Sequence, residues 1–106
     1  MDEVTDASFA AEVLASDVPV IVEFAAPWCR PCKAIEPALT EIAANATDRV
    51  RLVKLDIDAN VGTPSRYGVL SIPTVILFVD GEPRETLAGP MSKGRYERAF
   101  AAYLED

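Results

Sequence analysis

The sequence predicts an α/β fold in which a mixed central β-sheet is flanked by helices on both faces. Short apolar, β-branched segments alternate with segments of helical periodicity, in the order α-β-α-β-α-β-β-α. A strand–helix–strand unit comes first and a hairpin followed by a helix comes last, so we expect parallel and antiparallel pairs within one sheet. With 106 residues the chain has the length of a single domain, and we place that domain at residues 1–106.

The first half of the chain is predicted to supply two helices and two strands. Residues 5–16 place apolar side chains on one helical face behind capping residues, and the apolar run 20–26 indicates a strand buried on both sides. Helical spacing then extends from Cys29 onward, with Pro37 as the expected position of a kink. The alternating run 50–58 predicts the second strand.

The second half is predicted to end in a hairpin and a helix. Residues 60–67 form at best a short helix, whereas residues 74–79 are a strong strand. Asp80 and Gly81 mark a tight turn into a weaker strand over 84–87. Ser92 can cap a final helix, which has one apolar face made of Tyr96, Phe100, Tyr103 and Leu104.

Composition excludes several classes of function. The net charge is −7 with scattered basic residues, which argues against binding to nucleic acid or to an anionic membrane. The absence of histidine removes Ser-His-Asp and Cys-His catalysis, and we expect no metal and no cofactor. No apolar run has the length of a membrane span, and the acidic N-terminus lacks the features of a signal peptide. We therefore expect a cytoplasmic monomer.

Two cysteines three residues apart are the main chemical signal of the sequence. Cys29 and Cys32 lie where a buried strand is followed by a helix, and Pro31 suits the first helical turn. Unpaired N–H groups and the helix dipole would stabilise a thiolate on Cys29, while Cys32 would lie one turn further in and be more shielded. Two thiols of unequal exposure are suited to thiol–disulfide exchange, in which one attacks and the other resolves.

Other interpretations of the cysteine pair remain open at this point. A purely structural disulfide would close a loop too short to stabilise the fold by much. The pair could be half of a zinc or iron–sulfur site completed by a second chain, although the sequence has no other soft ligand. Two inert buried thiols would be unexpected in a loop that also holds Trp28 and Pro31.

Further motifs accompany the cysteines at fixed spacing, and with them the chain resembles the thioredoxin family over almost its whole length. The matching residues are Phe24, Trp28-Cys29-x-Pro31-Cys32-Lys33, Pro37, Lys54-Leu55-x-Ile57-Asp58, Tyr67-Gly68-Val69, Ile72-Pro73-Thr74, Leu77-Phe78-x-x-Gly81 and Gly89. The resemblance implies the thioredoxin fold and a redox-active disulfide between Cys29 and Cys32. It differs from the family's usual pattern at Glu23, where aspartate is usual, at Arg30, where glycine is usual, and at Ala25, where an aromatic residue is frequent. Ser71 and Pro90 also differ from the family's common choices.

Glu23 and Lys54 are charged residues within apolar strand patterns. The neighbours of Glu23 are apolar on both faces, and burial would raise its pKa, unless it lies at a solvated end of the sheet. Lys54 alternates with apolar residues, and a surface lysine is the commoner case. The resemblance implies instead that Glu23 accepts the proton of Cys32 and that Lys54 pairs with Glu23 and tunes its ionisation.

The resemblance also implies a surface on which substrates dock. Ile72-Pro73 would be a cis peptide facing the disulfide, with the preceding backbone pairing to substrate as an added strand. Trp28 could instead be an ordinary core residue, but its place in a proline-flanked loop indicates partial exposure. We refer to the predicted set of surrounding residues as the docking surface: Trp28, Arg30, Pro31, Ile57, Ile72, Pro73, Ala88 and Gly89.

These features predict a protein-disulfide reductase of the thioredoxin type that acts in cell redox homeostasis. Its partners would be disulfide-containing proteins and a thioredoxin reductase-like enzyme that recycles it, because the chain has no nucleotide-binding G-x-G-x-x-G of its own. One alternative is an oxidase or isomerase with the same fold. Another is a binding or chaperone module without turnover, against which both cysteines and the acidic residue argue.

Overall fold

A five-stranded mixed sheet forms the centre of the computed structural model, which describes residues 1–105. The predicted domain end at residue 106 lies outside the described residues. The strand order is β1-β3-β2-β4-β5, and the strands are β1 (Asp2–Val4), β2 (Val20–Ala25), β3 (Arg51–Asp56), β4 (Thr74–Val79) and β5 (Glu82–Ala88). A π-helical segment (Ala10–Leu14) and the helices α1 (Arg30–Ala44) and α2 (Gly62–Arg66) lie between strands, and α3 (Lys93–Leu104) follows β5.

The sheet combines parallel and antiparallel pairs, as predicted. β3 pairs in parallel with β1 and β2, while β4 is antiparallel to both β2 and β5. The register places Glu3, Lys54, Glu23 and Val75 in one row across four strands. Because residues in one row share a face, this row brings three charged side chains to the same side of the sheet.

Helices cover both faces of the sheet. All six residues of β2 are buried, because the strand has a core on each side. One core lies against α1 and α3 and includes Ile21, Leu39, Val75, Tyr96 and Phe100. The other lies against the π-helical segment and includes Phe9, Val13, Val22, Phe24 and Phe78.

Several sequence predictions are confirmed at the level of single residues. β4 has the predicted bounds, and α1 begins directly after Cys29 and runs through Pro37. Asp80 and Gly81 adopt φ of 52° and 79°, the left-handed conformations that a tight hairpin needs. The Ser92 hydroxyl accepts a hydrogen bond from the Arg95 N–H at 3.1 Å and so caps α3.

The N-terminal segment differs from the prediction. The helix expected over 5–16 is present only as the π-helical segment, and the residues before it form a hydrogen-bonded turn. Thr5 and Ser8 bond each other's backbone N–H groups at 2.9 and 3.1 Å, and Asp6 accepts bonds from Gly62 and Thr63. β1 was not predicted, since it has only three residues, two of them exposed.

The two edge strands differ in length and in chemistry. β1 is short, whereas β5 has seven residues, of which five are exposed: Glu82, Pro83, Arg84, Thr86 and Ala88. A register irregularity interrupts the pairing of β4 with β5 between Leu77 and Phe78. Within residues 1–105, no helix has the length and apolar character needed to cross a membrane.

Candidate functional site

The two cysteines lie at the N-terminus of α1, as the sequence predicts. Cys29 is the N-cap residue of the helix, and its sulfur accepts a hydrogen bond from the Cys32 N–H at 3.3 Å. Pro31 lies in the first turn, where its missing N–H costs no hydrogen bond. The cysteines form a disulfide with a Cα–Cα distance of 5.3 Å. When this bond is reduced, the helix N-terminus favours the thiolate form of Cys29.

The cysteines differ in exposure in the predicted direction, but the difference is small. Cys29 is 3% exposed and Cys32 is 0% exposed. Both belong to an apolar cluster with Ala25 and Ala26, against which Ile57 and Ile72 pack. Cys29 is thus the less shielded cysteine of the pair.

Glu23 is buried on β2, as its sequence context predicts. The residue is 0% exposed, and neither carboxylate oxygen has a hydrogen-bond partner among the described residues. Burial raises the pKa of Glu23 to about 8, with a further increase from the Glu36 carboxylate and an opposing effect from the Lys54 charge. A carboxyl group with such a pKa can gain or lose a proton near neutral pH.

Glu23 and Lys54 do not form the expected ion pair, so the prediction of a direct contact is wrong. Although the two residues are in register on adjacent strands, the Lys54 amine lies 3.5 Å from the Glu36 carboxylate instead. Glu36 is half-buried on α1, so the amine pairs with a partly solvated carboxylate. This pairing costs less desolvation free energy than an ion pair inside the core would. The charge of Lys54 still lowers the pKa of Glu23.

Trp28 is exposed, as its loop position predicts. Its exposed fraction is 69%, and its indole Nε1 donates a hydrogen bond of 2.7 Å to the Asp58 carboxylate. Ile57, which precedes Asp58, is anchored by a hydrogen bond of 2.9 Å from its N–H to the Ala25 carbonyl. The indole is therefore held beside Ile57.

The opposite side of the predicted docking surface is formed by two chain segments. The Ile72–Pro73 peptide is cis, as the resemblance implies. The Gly89 N–H donates to the Pro73 carbonyl at 2.8 Å, and Ala88 is in register with Thr74, so both segments lie together. Arg30 is exposed in the first turn of α1.

Sequence reasoning did not single out two residues of the site. Asp58 holds the Trp28 indole, and Glu36 contacts Lys54 and acts on Glu23. The position of Glu36, four residues after Cys32 on a helix, was an available signal because such residues share a face. Among the residues that the structure describes, no group of three acidic, cysteine or histidine side chains is placed to hold a metal ion.

Comparison with known proteins agrees with the geometry of the site. The thioredoxin family model matches residues 1–102. A thioredoxin of Rickettsia typhi is 50% identical over 93 residues, which cover 88% of this chain and 89% of the relative. A thioredoxin of Pseudomonas aeruginosa is 46% identical over 102 residues, covering 96% and 91%. The chain therefore belongs to the thioredoxin family of thiol–disulfide oxidoreductases, and it is a dithiol–disulfide redox carrier.

Proposed function

We propose that this carrier works as a protein-disulfide reductase in which Cys29 attacks and Cys32 resolves. The exposure of the two cysteines is the observation that carries this assignment, since Cys29 is 3% exposed and Cys32 is 0% exposed. Its place as the N-cap of α1 supports the same assignment, because the helix N-terminus stabilises an attacking thiolate.

The proposed reaction has two exchange steps. The Cys29 thiolate attacks a substrate disulfide, which breaks to release one substrate thiolate and leaves the other sulfur bonded to Cys29. The Cys32 thiol then passes its proton to the Glu23 carboxylate, and the resulting thiolate attacks the Cys29 sulfur. This second step releases the other substrate thiolate and forms the Cys29–Cys32 disulfide, so two electrons have moved to the substrate.

Substrates are proposed to bind at the docking surface, over the exposed edge of the disulfide. The backbone before Pro73 would pair with an extended substrate segment, and the apolar side chains of Trp28, Ile57 and Ile72 would contact its side chains. Arg30, Pro31, Ala88 and Gly89 would border the same surface.

Turnover requires a partner that supplies electrons. A thioredoxin reductase-like enzyme would return two electrons to the disulfide, since the sequence lacks a nucleotide-binding fingerprint. We place the protein in the cytoplasm, as a monomer in electron transport. The presence of only two cysteines, arranged for exchange, suits a reducing compartment.

Reduction of insulin disulfides with dithiothreitol as electron donor tests the proposal. The wild-type chain should accelerate insulin precipitation, and Cys29→Ser should abolish the effect because no other thiol can attack. Cys32→Ser should attack once and stop, leaving a mixed disulfide on Cys29 that peptide mass spectrometry locates. An adduct on Cys32 in the Cys29→Ser chain, with activity retained, would reverse the two roles.

A further inference from the structure

The environment of Glu23 raises the question of how its proton reaches solvent. Glu23 is 0% exposed on β2, and the proposed function needs it to be ionised before each resolving step. A carboxyl group whose pKa is about 8 is mostly protonated at neutral pH. Its proton must therefore leave the core in every cycle, and the residue has no surface of its own through which to release it.

A pocket of about 190 Å³ opens beside the site without exposing Glu23. The small side chain of Ala25 lines this pocket together with Pro27. Its charged lining residues are Glu3 from β1, Lys54 and Asp56 from β3, and Lys33 and Glu36 from α1. Glu23 does not line the pocket, so some other group must connect the two.

Glu36 is the residue that connects Glu23 to the pocket. It lies four residues after Cys32 on α1, and it faces the row that places Lys54 beside Glu23. Its side chain is 23% exposed, whereas Glu23 is fully buried. The Lys54 amine fixes the carboxylate at 3.5 Å, so Glu36 lies at the boundary between the core and the water of the pocket.

The Glu36 side chain raises the pKa of Glu23 both through its charge and through a hydrogen bond that the protonated form of Glu23 can make. When both are ionised neither can donate, and the Glu23 oxygens then have no partner. When Glu23 is protonated, its hydroxyl can donate to the Glu36 carboxylate, and both this bond and the charge of Glu36 raise the pKa of Glu23. From α3, Tyr96 also faces Glu23, but its hydroxyl is buried and bonded to the Met91 N–H.

We propose that Glu36 is a positioning residue that relays the proton of Glu23 to solvent. The Glu23 hydroxyl gives its proton to a Glu36 oxygen, Glu23 becomes a carboxylate, and Glu36 then releases the same proton to water in the pocket. The reverse transfer occurs when Glu23 must be reprotonated. This inference extends the proposed role of Glu23, and it concerns a residue that lies outside the Cys-x-x-Cys segment.

The rate of proton exchange at Glu23 in the oxidised protein tests the relay without any turnover. It can be measured by ¹³C relaxation dispersion of the Glu23 carboxyl carbon at the titration midpoint of each variant. Glu36→Gln keeps the side-chain shape but cannot relay, so exchange should slow by about tenfold or more. Formate, a carboxylate small enough for the pocket, should restore part of the rate.

Glu41→Gln is the matched control. Glu41 also lies on α1 and forms an ion pair of 2.9 Å with Lys93, away from Glu23. Its substitution should leave the exchange rate unchanged. Equal rates in the wild type and Glu36→Gln, or equal slowing in both variants, would overturn the relay.

A second measurement separates the relay from a purely electrostatic role. Loss of the Glu36 charge should lower the midpoint of the Glu23 titration, by about one pH unit, whichever role is correct. Only a relay also slows the exchange at that midpoint. If Glu23→Gln left the resolving step unchanged, the proposed role of Glu23 would fail, while the exchange rates would still decide the role of Glu36.

Discussion

Asp6 and Glu23 are carboxylates in opposite environments. Asp6 accepts hydrogen bonds from the Thr63 hydroxyl at 2.6 Å, the Thr63 N–H at 2.8 Å and the Gly62 N–H at 3.0 Å. These bonds, the Thr63 hydroxyl first, lower the pKa of Asp6. Glu23 has no such donor, and burial raises its pKa to about 8. One acid is held ionised by the fold, whereas the other is penalised when it ionises.

The difference indicates which carboxylate serves structure and which serves chemistry. Asp6 joins the N-terminal segment to the start of α2, and its charge is used in doing so. An unsatisfied buried carboxylate costs folding free energy, and nothing around Glu23 offsets that cost apart from the indirect effect of Lys54. A group that weakens the fold in this way is suited to exchanging protons.

The largest effect we expect is on stability, from Glu23→Gln. Because the folded pKa lies above the ordinary value of 4.5, the penalty is absent below that value and grows as pH rises toward 8. The variant should therefore be more stable than the wild type by about 3 kcal/mol at pH 7, and equally stable at pH 4. Urea denaturation at the two pH values measures this. Equal stability at both would mean that Glu23 is solvated or neutralised by Lys54.

The same substitution should slow the resolving step. General-base catalysis contributes about 10²-fold or more, but about one tenth of Glu23 is ionised at pH 7, so we expect a loss of about tenfold. With an aromatic disulfide such as dithiobisnitrobenzoate, release of the second thiolate reports this step by stopped-flow absorbance. The wild-type rate should rise up to about pH 8, and the variant should be slower across that range because its Cys32 thiol must lose its proton to water. Asp6→Asn is the control and should keep the wild-type rate.

Asp6→Asn should change stability in the opposite direction and by less. A lowered folded pKa contributes stability that is present above the unfolded value of 3.8 and is lost as pH falls through the folded value. The variant should be less stable than the wild type at pH 7, and the two should converge at strongly acidic pH. Urea midpoints across this range measure the effect. A stability difference that stayed constant at all pH values would show that the effect comes from the changed shape of the side chain and not from the loss of its charge.

Arg30→Gly should have the smallest effect, because an exposed charge is screened by water. Arg30 adjoins Cys29, and its charge favours the Cys29 thiolate and hence the dithiol form. The reduction potential of the wild type should exceed that of the variant by on the order of 10 mV at most. Equilibration of both proteins with glutathione measures the difference. A gap of several tens of millivolts would show that Arg30 acts through something other than exposed charge, and would favour the oxidase alternative.

Local patterns predicted the parts of the fold and site that depend on neighbouring residues. The strand over 74–79, the position of Cys29 before α1 and the burial of Glu23 all follow from short-range patterns and are confirmed. The three-residue β1 has too few residues to show a period. Sequence periodicity therefore could not reveal a strand that is defined only by its partner β3.

The contacts that sequence reasoning missed join residues far apart in the chain. Glu36 and Lys54 are on different elements, as are Trp28 and Asp58. A single sequence shows which charged residues interrupt an apolar pattern, as Lys54 does. The partner of such a residue depends on how α1 packs on the sheet. The pairing of Glu23 with Lys54 was expected from the family resemblance, and the resemblance did not show that Glu36 of α1 would take Lys54 as its partner.

The edges of the sheet bear on self-association. An edge strand with free N–H and C=O groups is a template for pairing with another chain. β1 has too few residues to pair extensively with another strand. In β5, Pro83 lacks an N–H donor, and the charged side chains of Glu82 and Arg84 disfavour pairing with a second strand. The irregularity between Leu77 and Phe78 further disrupts a flat ladder. Strand addition is thereby disfavoured at both edges, which should keep copies of this protein from pairing with one another at high concentration.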